Sequence, residues 1–171
     1  MPDWYELAGM TWPEFAEVRE RIRVALQPVG ATEQHGPNMT FETDTRIAHA
    51  LAQRLAAAVH PLAIVLPPLP FGVSYHHLGF PGTLSISEAS LHSVLIDIAR
   101  SLAQHGIHKL VFVNGHMGNM AALNTLGTRL RYDIGVEAAT MFYFHQAADT
   151  IAQHVKTTRW GHACEIEASV G

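Results

Sequence analysis

Glu33 and His35 stand two residues apart in the segment PVGATEQHGP, and Asp44 follows in TDTRIA. In extended backbone, residues two apart leave the same face, so this carboxylate and this imidazole are presented together. Such a pair suits zinc or manganese. Asp44 falls where a helix should begin, so it reads as an N-cap, as a further carboxylate ligand, or as both, with one oxygen for each use. A further histidine, His116, is set in VNGHMGN between Gly115 and Gly118, residues that let backbone turn tightly and approach a bound group. The glycine spacing is not that of a dinucleotide-binding loop, because His116 occupies its centre. A third group, GHACEIEAS, holds His162, Glu165 and Glu167. On a helix His162 and Glu165, three apart, share a face, and Glu167 points elsewhere.

Elements that alternate between strand and helix must bring these groups together. Residues 22–29 form a short apolar run closed by Pro28 and Gly30, a buried strand. From Asp44 the period becomes helical, with Ile47, Leu51 and Leu55 four apart, ending before Pro61. Residues 62–66 read as strand. Ser87 opens a second helix whose Leu91, Val94, Leu95, Ile98 and Leu102 share a face, with Gly106 past its end. Residues 109–113 (KLVFV) form the clearest strand, residues 119–131 a helix, and residues 136–144 another strand. This alternation predicts an α/β fold, three αβα layers around a mostly parallel sheet. Ligands of such sheets bind beyond the carboxyl ends of the strands, where the loops 32–37 and 114–119 both lie.

With 171 residues the chain suits one domain, 1–171. Charged residues make up 15%, the formal net charge is −4, and Lys and Arg form no run, which argues against nucleic acid as partner. The single cysteine, Cys164, allows no internal disulfide, so a reducing cytoplasm is the expected location. No apolar run approaches the ~18 residues that span a bilayer, and the acidic N-terminal stretch lacks the form of a signal peptide. Histidines number 12, against 11 Lys and Arg together, an excess of the commonest metal-ligating side chain.

Taken in order, PVGATEQHGP…TDTRIA, HHLGFPGTLSIS, VNGHMGN and GHACEIEAS resemble the four motif segments of the creatininase (creatinine amidohydrolase) family, from Val24 to Ser169. The resemblance implies an α/β protein with a metal pair at the carboxyl edge of its sheet, assembled as a homo-oligomer, often a hexamer. It implies that Glu33 and His116 hold one ion and His35 the other, with Asp44 bridging. It makes His162 the catalytic residue that contacts substrate and handles protons, and Tyr75, His76, His77 and Met117 the lining of the substrate pocket. Creatininase itself carries a glutamate where this chain has Gly118, and Glu165 is expected to supply that ligand, with Glu167 as support behind it. Family chains also have a histidine where this one has Asn38. They run on past the Glu-x-Ser segment, so the C-terminal part of the fold is expected to be missing.

The chemistry then follows from two divalent ions, zinc or manganese, with iron(II) as a further option. Water between them becomes hydroxide near neutral pH and attacks the carbonyl of a small amide, lactam or formamide, with His162 protonating the leaving nitrogen. Three alternatives stand beside this reading. They are a peptidase of mycofactocin maturation, a non-catalytic metal-binding scaffold, and a thiol nucleophile at Cys164.

Overall fold

The structure, a computed structural model, describes residues 5–158 and 161–170. Among these, five strands pair into one sheet: Tyr5–Glu6 (β1), Val24–Val29 (β2), Ala63–Val65 (β3), Lys109–Asn114 (β4) and Glu137–Phe142 (β5). Every pairing is parallel, and the order is β1-β3-β2-β4-β5. The helices are Trp12–Val18 (α1), Thr43–Ala58 (α2), Glu88–Gln104 (α3), Met120–Ile134 (α4), Tyr143–Gln146 (α5), Ala148–His154 (α6) and Glu165–Val170 (α7).

The strands are apolar on both faces because both faces are covered. Ala52 and Ala56 of α2 pack on Leu26, Val65 and Val113 on one side. Leu91 and Leu95 of α3, with Leu123 and Leu126 of α4, pack around Ala25, Ile64, Leu110 and Phe112 on the other. Neighbouring strand residues thus serve opposite layers, Ala25 one and Leu26 the next, as the two-residue pleat requires. The result is the three-layer αβα arrangement. Full burial of a leucine of this kind stabilises the fold by ~1.5–3 kcal/mol.

Sheet order places the site. The chain passes from β2 to its neighbour β3, then crosses through α3 to β4 on the other side of β2. The crevice where the winding reverses opens at the carboxyl ends of β2 and β4, whose last residues, Val29 and Asn114, lie in register. Beyond these ends run the loops carrying Glu33, His35 and His116.

The differences from the expected elements include one strand end and one added helix. The strand expected over residues 136–144 stops at Phe142, and Tyr143 and Phe144 begin a helical turn that tucks both rings into a cluster with Ile47, Ile151 and Ile166. The chain also forms α1, opened by a capping box in which Glu14 Oε2 accepts from the Thr11 amide at 2.7 Å. No helix among the described residues is long and apolar enough to cross a membrane.

Candidate metal centre

Asn119 braces the crevice. Its Nδ2 donates to the Gly30 carbonyl (3.0 Å) and to Asn114 Oδ1 (3.2 Å), and its Oδ1 accepts from the Val73 amide (2.9 Å). Loops after β2, β3 and β4 are thereby joined through one buried amide. Asn114 in turn donates to the His116 carbonyl and accepts from the His116 amide. Two glycines let the loops close together: a Cβ at Gly115 would strike the Asp44 carbonyl, and one at Gly118 would strike His116 Nε2 and the Val73 carbonyl.

The ring orientations of His116 and His35 follow from this frame. His116 Nε2 lies 3.0 Å from the Val73 carbonyl, which can only accept, so Nε2 carries the hydrogen and Nδ1 presents its lone pair. That lone pair faces Glu33 Oε1 at 3.0 Å and Asp44 Oδ2 at 3.2 Å. Both oxygens are buried, and neither has a hydrogen-bond partner among the described residues. His35 repeats the pattern: Nδ1 donates to the Glu33 carbonyl (3.2 Å), leaving Nε2 toward Asp44 Oδ1 at 3.1 Å and Glu167 Oε1 at 3.9 Å. Lone pairs of nitrogen and oxygen converging without protons between them repel unless an added proton or a cation intervenes. Asp44 faces one such convergence with each oxygen, so the donors present fit a pair of cations.

Without metal, protons take up that strain. Burial works against a charged His116, but the Asp44 and Glu33 carboxylates outweigh it and hold the imidazole up to about 10. Burial pushes Glu33 up, but His116, Ser74 and His77 outweigh it and hold the carboxyl down to about 2. His35 is raised by Asp44 against its own burial, while burial raises Glu167, with Asp44 adding to the rise. His162 is lowered by burial and by His35 beside it.

The structure brings Glu33, His35, Asp44 and His116 together, all nearly inaccessible to solvent. Asp44 sits in the first turn of α2 but does not cap it; the helix start has no side-chain cap bond. Glu165, expected as the last ligand, is elsewhere: its carboxylate accepts from the Lys156 and Thr157 amides at 3.0–3.2 Å. Glu167 takes the place beside His35. The helical-face argument fails because residues 161–164 are not helical; Ala163 is left-handed at φ 51°, and α7 starts at Glu165.

His162 reaches the site from this irregular segment. Its Nε2 lies 2.7 Å from the Gln34 carbonyl and 2.9 Å from Gln34 Nε2, and its Nδ1 lies 3.5 Å from Glu33 Oε1. His77 Nδ1 donates to Glu33 Oε2 at 3.0 Å. A cavity of about 520 Å³ opens over these groups, bounded by His76, His77, Met117 and His162, and by Phe142 and Phe144 on an apolar side. Tyr75 is 55% exposed and does not line it. Reading from sequence missed Gln34, Ser74 and Asn119, and treated Glu167 as support. For Asn119 the signal was present, a polar residue closing a loop that must be buried.

The creatininase family profile, described as creatinine amidohydrolase, matches residues 8–171. The mycofactocin precursor peptide peptidase of Mycolicibacterium smegmatis is 40% identical over 155 residues, which is 88% of this chain and 62% of that protein. The chain therefore spans less than two thirds of that relative's length. A zinc–zinc form of a creatininase variant is similar at TM-score 0.80 and 31% identity, covering 96% of this chain and 70% of that one. A manganese creatininase is similar at TM-score 0.77 and 31% identity, covering 96% and 68%. In sequence and in fold, this chain belongs to the creatininase family.

Proposed function

We propose that the chain is a hydrolase of carbon–nitrogen bonds in amides, lactams or formamides, working with two divalent ions. One observation carries this reading: Asp44 turns each carboxylate oxygen to a different histidine nitrogen, His35 Nε2 and His116 Nδ1. Glu33 Oε1, Asp44 Oδ2 and His116 Nδ1 would hold one ion, and His35 Nε2, Asp44 Oδ1 and Glu167 Oε1 the other. Nitrogen and oxygen donors without thiolate suit zinc or manganese, the metals of the two creatininase forms above, and also iron(II). Such ions, when bound, lower the pKa of water and polarise a carbonyl.

The chain's own groups supply the rest. With Nε2–H held by the Gln34 carbonyl, His162 directs Nδ1 toward Glu33 and the cavity. There it takes a proton and returns it to the leaving nitrogen. His77 holds Glu33 by its outer oxygen, so Oε1 stays turned to the ion position. His76 and Met117 border the space for the substrate.

Elemental analysis after growth with zinc and manganese, followed by a panel of cyclic amides, formamides and short peptides, tests the reading. Two ions per chain with turnover of an amide is the expected result. No bound metal would overturn it, and two ions without turnover of any amide would point to a metal-binding scaffold. A second reading, peptide hydrolysis, is favoured by the 40% identity to the mycofactocin precursor peptide peptidase. Turnover of short peptides in preference to cyclic amides would select it.

A further inference from the structure

Glu33 uses its two carboxylate oxygens in opposite directions. Oε1 faces His116 Nδ1, and Oε2 faces His77 Nδ1, each at 3.0 Å. His162 Nδ1 stands 3.5 Å from Oε1, and the His77 and His162 rings are 4.2 Å apart at a tilt of 39°. One ligand atom from each of Glu33, His77 and His162 lies within 4.8 Å of the others. Ligand atoms around a tetrahedral zinc are separated by about 3.3–3.5 Å, given bonds of about 2.0–2.2 Å, so small side-chain shifts close the set. The three carry different exposures: the Glu33 side chain is buried, His77 is 15% exposed and His162 31%. An ion can reach this edge from the cavity without passing the buried pair.

We propose that Glu33 Oε2, His77 and His162 form a third, weaker zinc site, and that zinc bound there blocks turnover. The inference rests on the two-ion reading above, because Glu33 joins the third position to the pair as Asp44 joins the pair itself. The ion replaces the hydrogen that His77 Nδ1 directs to Glu33, and the ring takes up a hydrogen at Nε2, so His77 binds as neutral imidazole with no net loss of a proton. Binding is weaker because a third dication adds to two already facing only three carboxylates, those of Glu33, Asp44 and Glu167. Turnover stops because the ion takes the His162 Nδ1 lone pair and stands at the cavity mouth. His77, not His162, is the discriminating residue, since His162 is also within reach of His35 and Glu167.

The test is a titration of Zn²⁺ alone into the full chain, followed by calorimetry, with hydrolysis measured in parallel. The expected result is two tight ions and a third bound about 100-fold more weakly, from repulsion between cations sharing one carboxylate, with inhibition tracking the third. His77→Asn keeps an N–H donor toward Glu33 Oε2 but offers no imidazole. It should keep the two tight ions and lose both the third and the inhibition. Two ions and no more in the unaltered chain would overturn the proposal while leaving the two-ion reading intact. A third event retained in His77→Asn, or lost without relief of inhibition, would overturn it as well. Fewer than two tight ions would overturn both readings.

Discussion

Glu165 and Glu167 stand two residues apart and face opposite ways. Glu165 accepts from the Lys156 and Thr157 amides, whereas Glu167 is 4% exposed with Oε1 3.9 Å from His35 Nε2. Glu167→Gln is therefore expected to weaken one ion of the pair by about 10–100-fold or more, leaving the other in place. Glu165→Gln should keep the full metal content and only lower the melting midpoint slightly, through the lost backbone contacts. Metal affinity measured by chelator competition on both variants decides the matter. Loss of an ion in Glu165→Gln with none lost in Glu167→Gln would reverse the assignment.

Gly118 has no room for a ligand of its own. Because a Cβ there meets His116 Nε2 and the Val73 carbonyl, Gly118→Ala should cost ~1–3 kcal/mol of stability and displace the His116 ring. For the same reason Gly118→Glu should not restore an ion lost in Glu167→Gln. Thermal unfolding with and without zinc would show the cost. A Gly118→Ala protein as stable as the parent, with full metal content, would refute the packing argument.

Metal removal exposes two opposed ionisations. Glu33, held down to about 2, contributes stability present above its ordinary 4.5 and lost as pH falls toward 2. His116, held up to about 10, contributes stability fully present below its ordinary 6.5 and lost as pH rises toward 10. The chelated chain should thus be most stable between about pH 4.5 and 6.5. Melting midpoints in excess chelator should fall on both sides of that window. In His116→Ala the basic limb should flatten; a limb of unchanged slope would mean that other groups set it.

Cys164 packs beside Tyr143 and Ile166, and its amide lies 3.4 Å from Glu167 Oε2. That contact uses backbone, so Cys164→Ser should leave hydrolysis within about threefold of the parent. A loss of ~10³-fold or more, the scale of deleting a catalytic group, would favour a thiol nucleophile instead.

Periodicity and motif spacing in the sequence determined the layered α/β fold and the strand ends at which the loops carrying Glu33, His35 and His116 meet, while the place of Asp44 among them was what the family resemblance implied. The fold and the strand ends are consequences of pattern: apolar runs closed by Pro or Gly, a four-residue helical period in α2, and parallel strands that send their loops to one edge. The Thr11-x-x-Glu14 box that opens α1 is likewise a signal carried by the sequence. Tertiary structure decided which glutamate joins the site. A helical face is a safe inference only once the helix start is known, and here the left-handed Ala163 sets that start beyond His162. Tertiary structure also decided the ring orientation of His116. The Val73 carbonyl, brought in by a separate loop, dictates which nitrogen of His116 carries the proton, whereas His35 is set locally by the Glu33 carbonyl two residues before it. Spacing along the chain holds no information about a carbonyl contributed from more than forty residues away, as Val73 is for His116.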